Sequence, residues 1–148
     1  MLDRSARTRA ELATALARRG VPDDAAERVL NRFVEVGLID DAALADGYAL
    51  AQHRERGLAG RAVAQKLRRR GVPDDTLQAA VGLIDPESEL ATARALAARK
   101  LRSMGGLEPA AQARRLVGLL ARKGYPSGLA YQVVREAIAD LEVAEGEL

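Results

Sequence analysis

The sequence predicts an all-α fold built from tandem three-helix repeats that form an elongated, curved array. Three observations lead there. The chain of 148 residues is 48% hydrophobic but only 3% aromatic, so its core must be Ala, Leu, Val and Ile. Ala and Leu are strong helix formers, and no stretch alternates β-branched and aromatic residues as a strand would. One segment occurs three times: LARRGVPDD at Leu16–Asp24, LRRRGVPDD at Leu67–Asp75 and LARKGYPSG at Leu120–Gly128. Its glycines, Gly20, Gly71 and Gly124, lie 51 and 53 residues apart, and eight of nine positions agree between the first two copies. Finally, apolar pairs precede each copy at i, i+4: Leu12/Leu16, Val63/Leu67 and Leu116/Leu120, the spacing of one helix face.

Each copy reads as helix, turn, helix. Two cations close the first helix, where the negative end of its dipole favours them. Gly supplies the left-handed residue of a helix end, and Val or Tyr packs back onto the helix. Pro begins the next helix, with Asp or Ser expected to cap its free N–H groups. Beyond the turn, Val29/Leu30, Ala80/Val81 and Val133/Val134 correspond, followed by a layer of Phe33, Ile84 and Ala137.

A second signal recurs, GLIDD at Gly37–Asp41 and GLIDP at Gly82–Pro86. Gly ends one helix, Leu-Ile packs, and Asp opens the next, predicting helices over Asp41–Arg56 and Pro86–Met104. Each repeat therefore has a long helix, a short basic helix and a third helix. The repeats divide the chain into residues 1–39, 40–84 and 85–148, the first with a truncated first helix. Leu12, Leu16 and Phe33 then lose a packing partner, a face that a partner subunit could cover. Gly57–Gly60 and Gly105–Gly106 read as flexible joints, and Val143–Leu148 as a frayed acidic end. Single repeats of this size bury little, and stacking in a row supplies the missing burial.

Composition narrows the function. With no cysteine, disulfides and thiolate metal sites are excluded. His53 is the sole histidine and fits a surface or helix end. The pairs Asp23/Asp24, Asp40/Asp41 and Asp74/Asp75 sit at helix starts and read as caps. There is no phosphate-binding loop, no dinucleotide fingerprint and no catalytic triad pattern. No catalytic residue, metal ligand, cofactor or small-molecule substrate is expected. The start MLDRSARTRAEL lacks the apolar core of a secretory signal and no apolar run would span a membrane, so a cytoplasmic protein without membrane contact is expected. Phe33, Tyr48, Tyr125 and Tyr131 read as core or turn residues; so few aromatics suit base stacking poorly.

What stands out is charge. The net charge is +2, but it is uneven. Arg54, Arg56, Arg61, Lys66, Arg68, Arg69 and Arg70 face one acid, Glu55. Between Arg94 and Lys123 the only acid is Glu108, whereas the chain beyond Gly124 is acidic. Arg18/Arg19, Arg68–Arg70 and Arg122/Lys123 occupy the same place in all three repeats, so an array would line them up as a basic stripe. Helix-end compensation explains each cluster singly. It does not explain Arg54, Arg56, Arg61, Lys66, Arg99, Lys100, Arg102, Arg114 and Arg115. The set together points to a polyanionic or acidic partner. Direct DNA binding by helix-turn-helix pairs is the alternative, but the helices after the turns offer base edges little beyond Arg28, Asn31, Arg32 and Gln78. A structural adaptor, needing no stripe, is a third reading.

The order and spacing of these motifs resemble the RecX family, regulators of the RecA recombinase. The matching pieces are R-T-R-A-E-L-x₃-L-x-R-R-G at Arg7–Gly20, G-L-I-D-D at Gly37–Asp41, L-R-R-R-G-V at Leu67–Val72 and R-R-L-V-G-L-L-A-R-K-G-Y at Arg114–Tyr125. The resemblance covers nearly the whole chain. It implies three tandem three-helix repeats in a curved right-handed arrangement. It further implies a non-enzymatic regulator that binds in the groove of the RecA–DNA filament and suppresses ATP hydrolysis, strand exchange and co-protease activity. The expected partner is then the RecA nucleoprotein filament, with contact to single-stranded DNA as a further expectation. Members of the family usually carry a full helix ahead of the stretch matching Arg7–Gly20, which is nearly missing here.

Overall fold

The structure, a computed structural model, describes residues 6–146. Met1–Arg4, on which the truncated first helix was placed, and the last two residues of the acidic end lie outside the described residues. Eight helices follow in order: α1 (Arg9–Arg18), α2 (Asp23–Glu35), α3 (Asp41–Arg56), α4 (Gly60–Arg69), α5 (Asp74–Val81), α6 (Pro86–Arg102), α7 (Pro109–Arg122) and α8 (Ser127–Gly146). Among the described residues there is no strand. The acidic end is helical as far as Gly146 rather than frayed.

The three repeated turns have one geometry, and their sequence explains it. Gly20, Gly71 and Gly124 have φ of 80°, 81° and 96°. The residue after each glycine donates its N–H five residues back: Val21 to the Leu16 carbonyl, Val72 to Leu67 and Tyr125 to Leu120, at 3.1, 3.1 and 3.0 Å. Each glycine N–H donates three residues back, to Ala17, Arg68 and Ala121. This pairing satisfies the carbonyls a helix leaves open at its end.

The far side of the turn differs from expectation. Pro22 and Pro73 themselves hold the N-cap positions of α2 and α5, and neither helix start has a side-chain cap. The prolines have no capping oxygen, so Asp23 and Asp74 serve the first turn through charge alone. True carboxylate caps occur at the other signal: Asp40 accepts from the Ala43 N–H at 3.0 Å and Asp85 from the Ser88 N–H at 2.8 Å. Asp41 accepts the Arg9 N–H at 2.9 Å, capping a helix 32 residues away in sequence.

The chain packs as two units, Met1–Ala51 with Val63–Leu83, and Gln52–Ala62 with Ile84–Leu148. Both α3 and α4 give residues to each. In the second unit Leu116 and Leu120 are fully buried among Ala93, Ala97, Leu101, Ala130, Val133 and Val134. Small alanines on α6 let α8 approach it closely. In the first unit Leu30, Val63, Leu67, Leu77 and Ala80 are buried. There α1 supplies no fully buried residue, and Leu12 and Leu16 are half-buried. Val29 is 40% exposed, whereas its repeat equivalents Ala80 and Val133 are 0% and 1% exposed. Phe33 is exposed too, while Ile84 in the same register is buried. Among the described residues, the apolar side chains Val29 and Phe33 on α2 are left exposed.

Each unit contains the same joint. The second copy of the turn seats on the start of α1, where the Thr8 hydroxyl donates to the Arg70 carbonyl at 2.7 Å. The third seats on the start of α4, where the Ala59 N–H donates to the Lys123 carbonyl at 2.9 Å. The segment at Gly57–Gly60, expected to be a flexible joint, is buried throughout because it is this seat. The Tyr125 hydroxyl donates to the Gly57 carbonyl at 2.8 Å from a buried position. Burial also pushes the Tyr125 phenol up to about 12.

Candidate partner-binding surface

The cations proposed as one stripe fall into two groups. The first is engaged within the fold. Arg70 holds Glu11 in a two-point fork, Nη2 to Oε1 at 2.8 Å and Nε to Oε2 at 3.1 Å. It also donates to the Ala6 carbonyl at 3.2 Å, and its guanidinium lies 5.4 Å from the centre of the Tyr48 ring, a cation–π distance. Lys123 fills the equivalent place in the second unit, donating from Nζ to the Arg56 carbonyl at 2.8 Å. These two residues tie one repeat's turn to the loop before the preceding repeat's basic helix. Arg68 makes an exposed contact with Asp74 at 3.5 Å, a pair of small energetic weight.

Glu11 is doubly used. With Thr8 it forms a capping box, Thr8 N–H to Glu11 Oε1 at 2.9 Å and Glu11 N–H to Thr8 Oγ1 at 3.0 Å. The hydrogen bonds from the Arg70 guanidinium hold its carboxyl below the ordinary value of 4.5, against an opposing desolvation. A folded-state value below the unfolded one gives stability that is complete above the unfolded value and lost as pH falls through the folded one. The urea midpoints of the native protein and Glu11→Gln should therefore differ at neutral pH and converge on acidification below 4.5. A gap that stays constant into acid would remove the ion pair as its cause.

The second group has no hydrogen bond or ion pair through its side chains among the described residues: Arg18, Arg19, Arg54, Arg56, Arg61, Lys66, Arg69, Arg99, Lys100, Arg102, Arg114, Arg115 and Arg122. All are exposed except the half-buried Lys66. Within the second unit, α6 and α7 bring three cations together. Leu96, Arg99 and Lys100 lie along one face of α6 with Ser103 at its C-cap, and Leu119 on α7 lies one turn before its C-cap residue Lys123. These six line a groove of about 380 Å³. Ser103 donates its hydroxyl to the Lys100 carbonyl at 2.7 Å, leaving the ammonium and guanidinium groups as the groove's donors.

Other candidates resolve as structure. His53 donates from Nδ1 to the Leu58 carbonyl at 2.8 Å, and its Nε2 lies 3.3 Å from the Thr92 hydroxyl; the carbonyl can only accept, which assigns the proton to Nδ1. No group of three or more His, Cys, Asp or Glu side chains among the described residues could hold a metal ion. No helix among them is long and apolar enough to cross a membrane. Tyr125 is buried in its turn and Tyr48 lies beneath Arg70, but Tyr131 is 59% exposed, contrary to its reading as core or turn. The sequence reading missed buried Gln112, whose Nε2 donates to the Met104 carbonyl at 2.9 Å. It also missed the Thr8/Glu11 box, although T-x-x-E is legible as one.

These features define an all-helical repeat protein in which one class of turn serves as the joint and a set of exposed cations has no partner within the fold. Family models for the first, second and third three-helix domains of RecX match residues 1–33, 40–81 and 87–134. The chain belongs to the RecX family. It is 50% identical to the "Regulatory protein RecX" of Thermobifida fusca over 93% of this chain and 75% of that one. It is 49% identical to that of Streptomyces coelicolor over 99% of this chain and 76% of that one. Two crystal structures share the fold at low identity. RecX from Lactobacillus salivarius has a TM-score of 0.81 at 17% identity, covering 92% of this chain and 88% of that chain. A second regulatory protein RecX has a TM-score of 0.78 at 22% identity, covering 90% and 65%.

Proposed function

We propose that this chain is a regulator of the RecA recombinase that acts by binding the RecA–DNA filament and suppressing ATP hydrolysis, strand exchange and co-protease activity. Membership of a family of regulatory proteins carries this reading. The cations left without partners inside the fold support it by supplying a surface for an acidic partner. On this proposal the repeats, residues 1–39, 40–84 and 85–148, lie along the filament and bridge neighbouring RecA protomers. Bridging raises the barrier to the movements that ATP turnover requires. The chain contributes no reaction of its own. The contacts are electrostatic in part, and single-stranded DNA within the filament is within the reach of such cations.

Direct base readout gains little from the structure. The Asn31 Oδ1 accepts from the Arg9 guanidinium at 2.7 Å, whereas the exposed contact of Arg32 with Glu35 at 3.4 Å carries little weight. The test is RecA ATPase on single-stranded DNA with increasing amounts of the protein. The rate should fall in a dose-dependent manner, and less so at high salt. No inhibition at any ratio removes the proposal.

A further inference from the structure

We infer that the groove between α6 and α7 takes an acidic segment of a partner protein that carries a large apolar side chain among its carboxylates, rather than a nucleic-acid backbone. The inference rests on reading the unpaired cations as the partner-binding surface, and it names the chemistry one part of that surface selects. Cations alone would suit either partner. The lining decides between them, because two half-buried leucines, Leu96 and Leu119, sit among Arg99, Lys100 and Lys123. A phosphodiester chain gains nothing by covering leucine, and burying its charge there costs solvation. The sequence-tolerant stacking of bases favours an aromatic face, and none of the lining residues is aromatic. An aliphatic or aromatic side chain flanked by carboxylates meets both parts of the lining at once. It removes the leucines from water and sets acids opposite the guanidinium and ammonium groups.

The size agrees. About 380 Å³ lies in the lower range of pockets for small ligands and admits one or two large side chains, not a helix. The groove is also held in place. Leu96 packs on Gly57, with its Cδ1 2.9 Å from where a Cβ would stand there. Lys123 is held by its bond to the Arg56 carbonyl and keeps two ammonium protons for a ligand. Leu96 and Lys123 are therefore in place before a ligand arrives, and the entropic cost of association falls mainly on ordering Arg99 and Lys100.

The experiment uses the full chain and three fluorescent probes: a ten-residue peptide of Asp and Glu with two central leucines, the same peptide with serines for the leucines, and a ten-residue oligothymidylate. The leucine peptide should bind at least about fivefold tighter than the serine peptide, equivalent to roughly 1 kcal/mol, and tighter than the oligonucleotide. Leu119→Gln should erase the preference for leucine while leaving residual charge-driven binding. Arg99→Glu, whose side chain has no partner in the fold, should weaken both peptides. Circular dichroism of each variant checks that the helices are retained. Equal binding of the two peptides, or tighter binding of the oligonucleotide, overturns the inference. RecA inhibition is measured separately, so a chain that inhibits RecA but shows no leucine preference disproves the groove's selectivity alone.

Discussion

Gly124→Ala is expected to destabilise the protein by about 3–5 kcal/mol, whereas Gly20→Ala, in a turn of nearly the same sequence, is expected to cost only about 1–2 kcal/mol. The shared part is backbone strain, since both glycines have φ near the left-handed region, 96° and 80°, where a Cβ meets the following carbonyl. The difference is the joint. A Cβ at Gly124 would stand 2.7 Å from the Ala62 Cβ and 2.9 Å from its backbone nitrogen, whereas one at Gly20 would meet nothing within 4 Å. The Ala62 nitrogen is fixed by its bond to the Ala59 carbonyl at 3.0 Å and cannot swing aside as a side chain could. The seat must then open, straining the Ala59 to Lys123 bond and the buried Tyr125 hydroxyl. Gly71 offers a check within the same chain. A Cβ there would clash with the Ala10 methyl, the Ala10 Cα being 3.8 Å away, so Ala10→Gly should recover part of the cost of Gly71→Ala. Ala62→Gly should recover little of the cost of Gly124→Ala, because the obstruction there includes backbone. Urea denaturation of the five variants measures this, and equal losses at Gly20 and Gly124 would remove the joint as the explanation.

The same contrast shows what could be read from the sequence. Helix ends are local, and the residues that make them lie within six positions of one another. The turns at Gly20, Gly71 and Gly124, the caps at Asp40 and Asp85 and the span of α3 were legible for that reason. The Asp23 and Asp74 caps were misread because proline can take the N-cap position, which moves the acid one place into the helix. Partner choice across the fold was not legible. Arg19, Arg70 and Lys123 stand at the same place in three similar segments. Nothing in those segments says that Arg70 reaches Glu11, 59 positions away, or that Lys123 reaches Arg56, 67 positions away, while Arg19 reaches neither kind of partner. Repetition identified the cations as equivalent in position, but the neighbour each turn meets makes them unequal in role.

That inequality decides which cations can test the proposed function. Reversing Arg68, Arg69 and Arg70 together would confuse two effects, because Arg70 is tied to Glu11, Ala6 and Tyr48 and its loss loosens the first joint. Arg99 and Lys100 are exposed and without partners but stand in the last turn of α6, so Arg99→Glu with Lys100→Glu should cost about 1–3 kcal/mol of stability through the helix dipole, and urea denaturation of the variant confirms that inhibition is compared between folded proteins. On the proposed filament surface the same pair should raise the concentration needed for half-inhibition of RecA ATPase by about 30-fold or more. Two like-charge contacts replacing two attractive ones are worth about 2 kcal/mol or more across an interface. Screening should narrow the gap as salt rises, since exposed charges interact over roughly 10 Å at 0.1 M ionic strength. Arg114→Glu with Arg115→Glu makes the comparison within the same unit. These two are equally exposed and unpaired but do not line the α6–α7 groove. Loss of inhibition at both pairs alike would assign binding to the general cationic field, loss at Arg99 and Lys100 alone would assign it to the groove, and loss at neither would leave the cations to helix-end compensation and solubility.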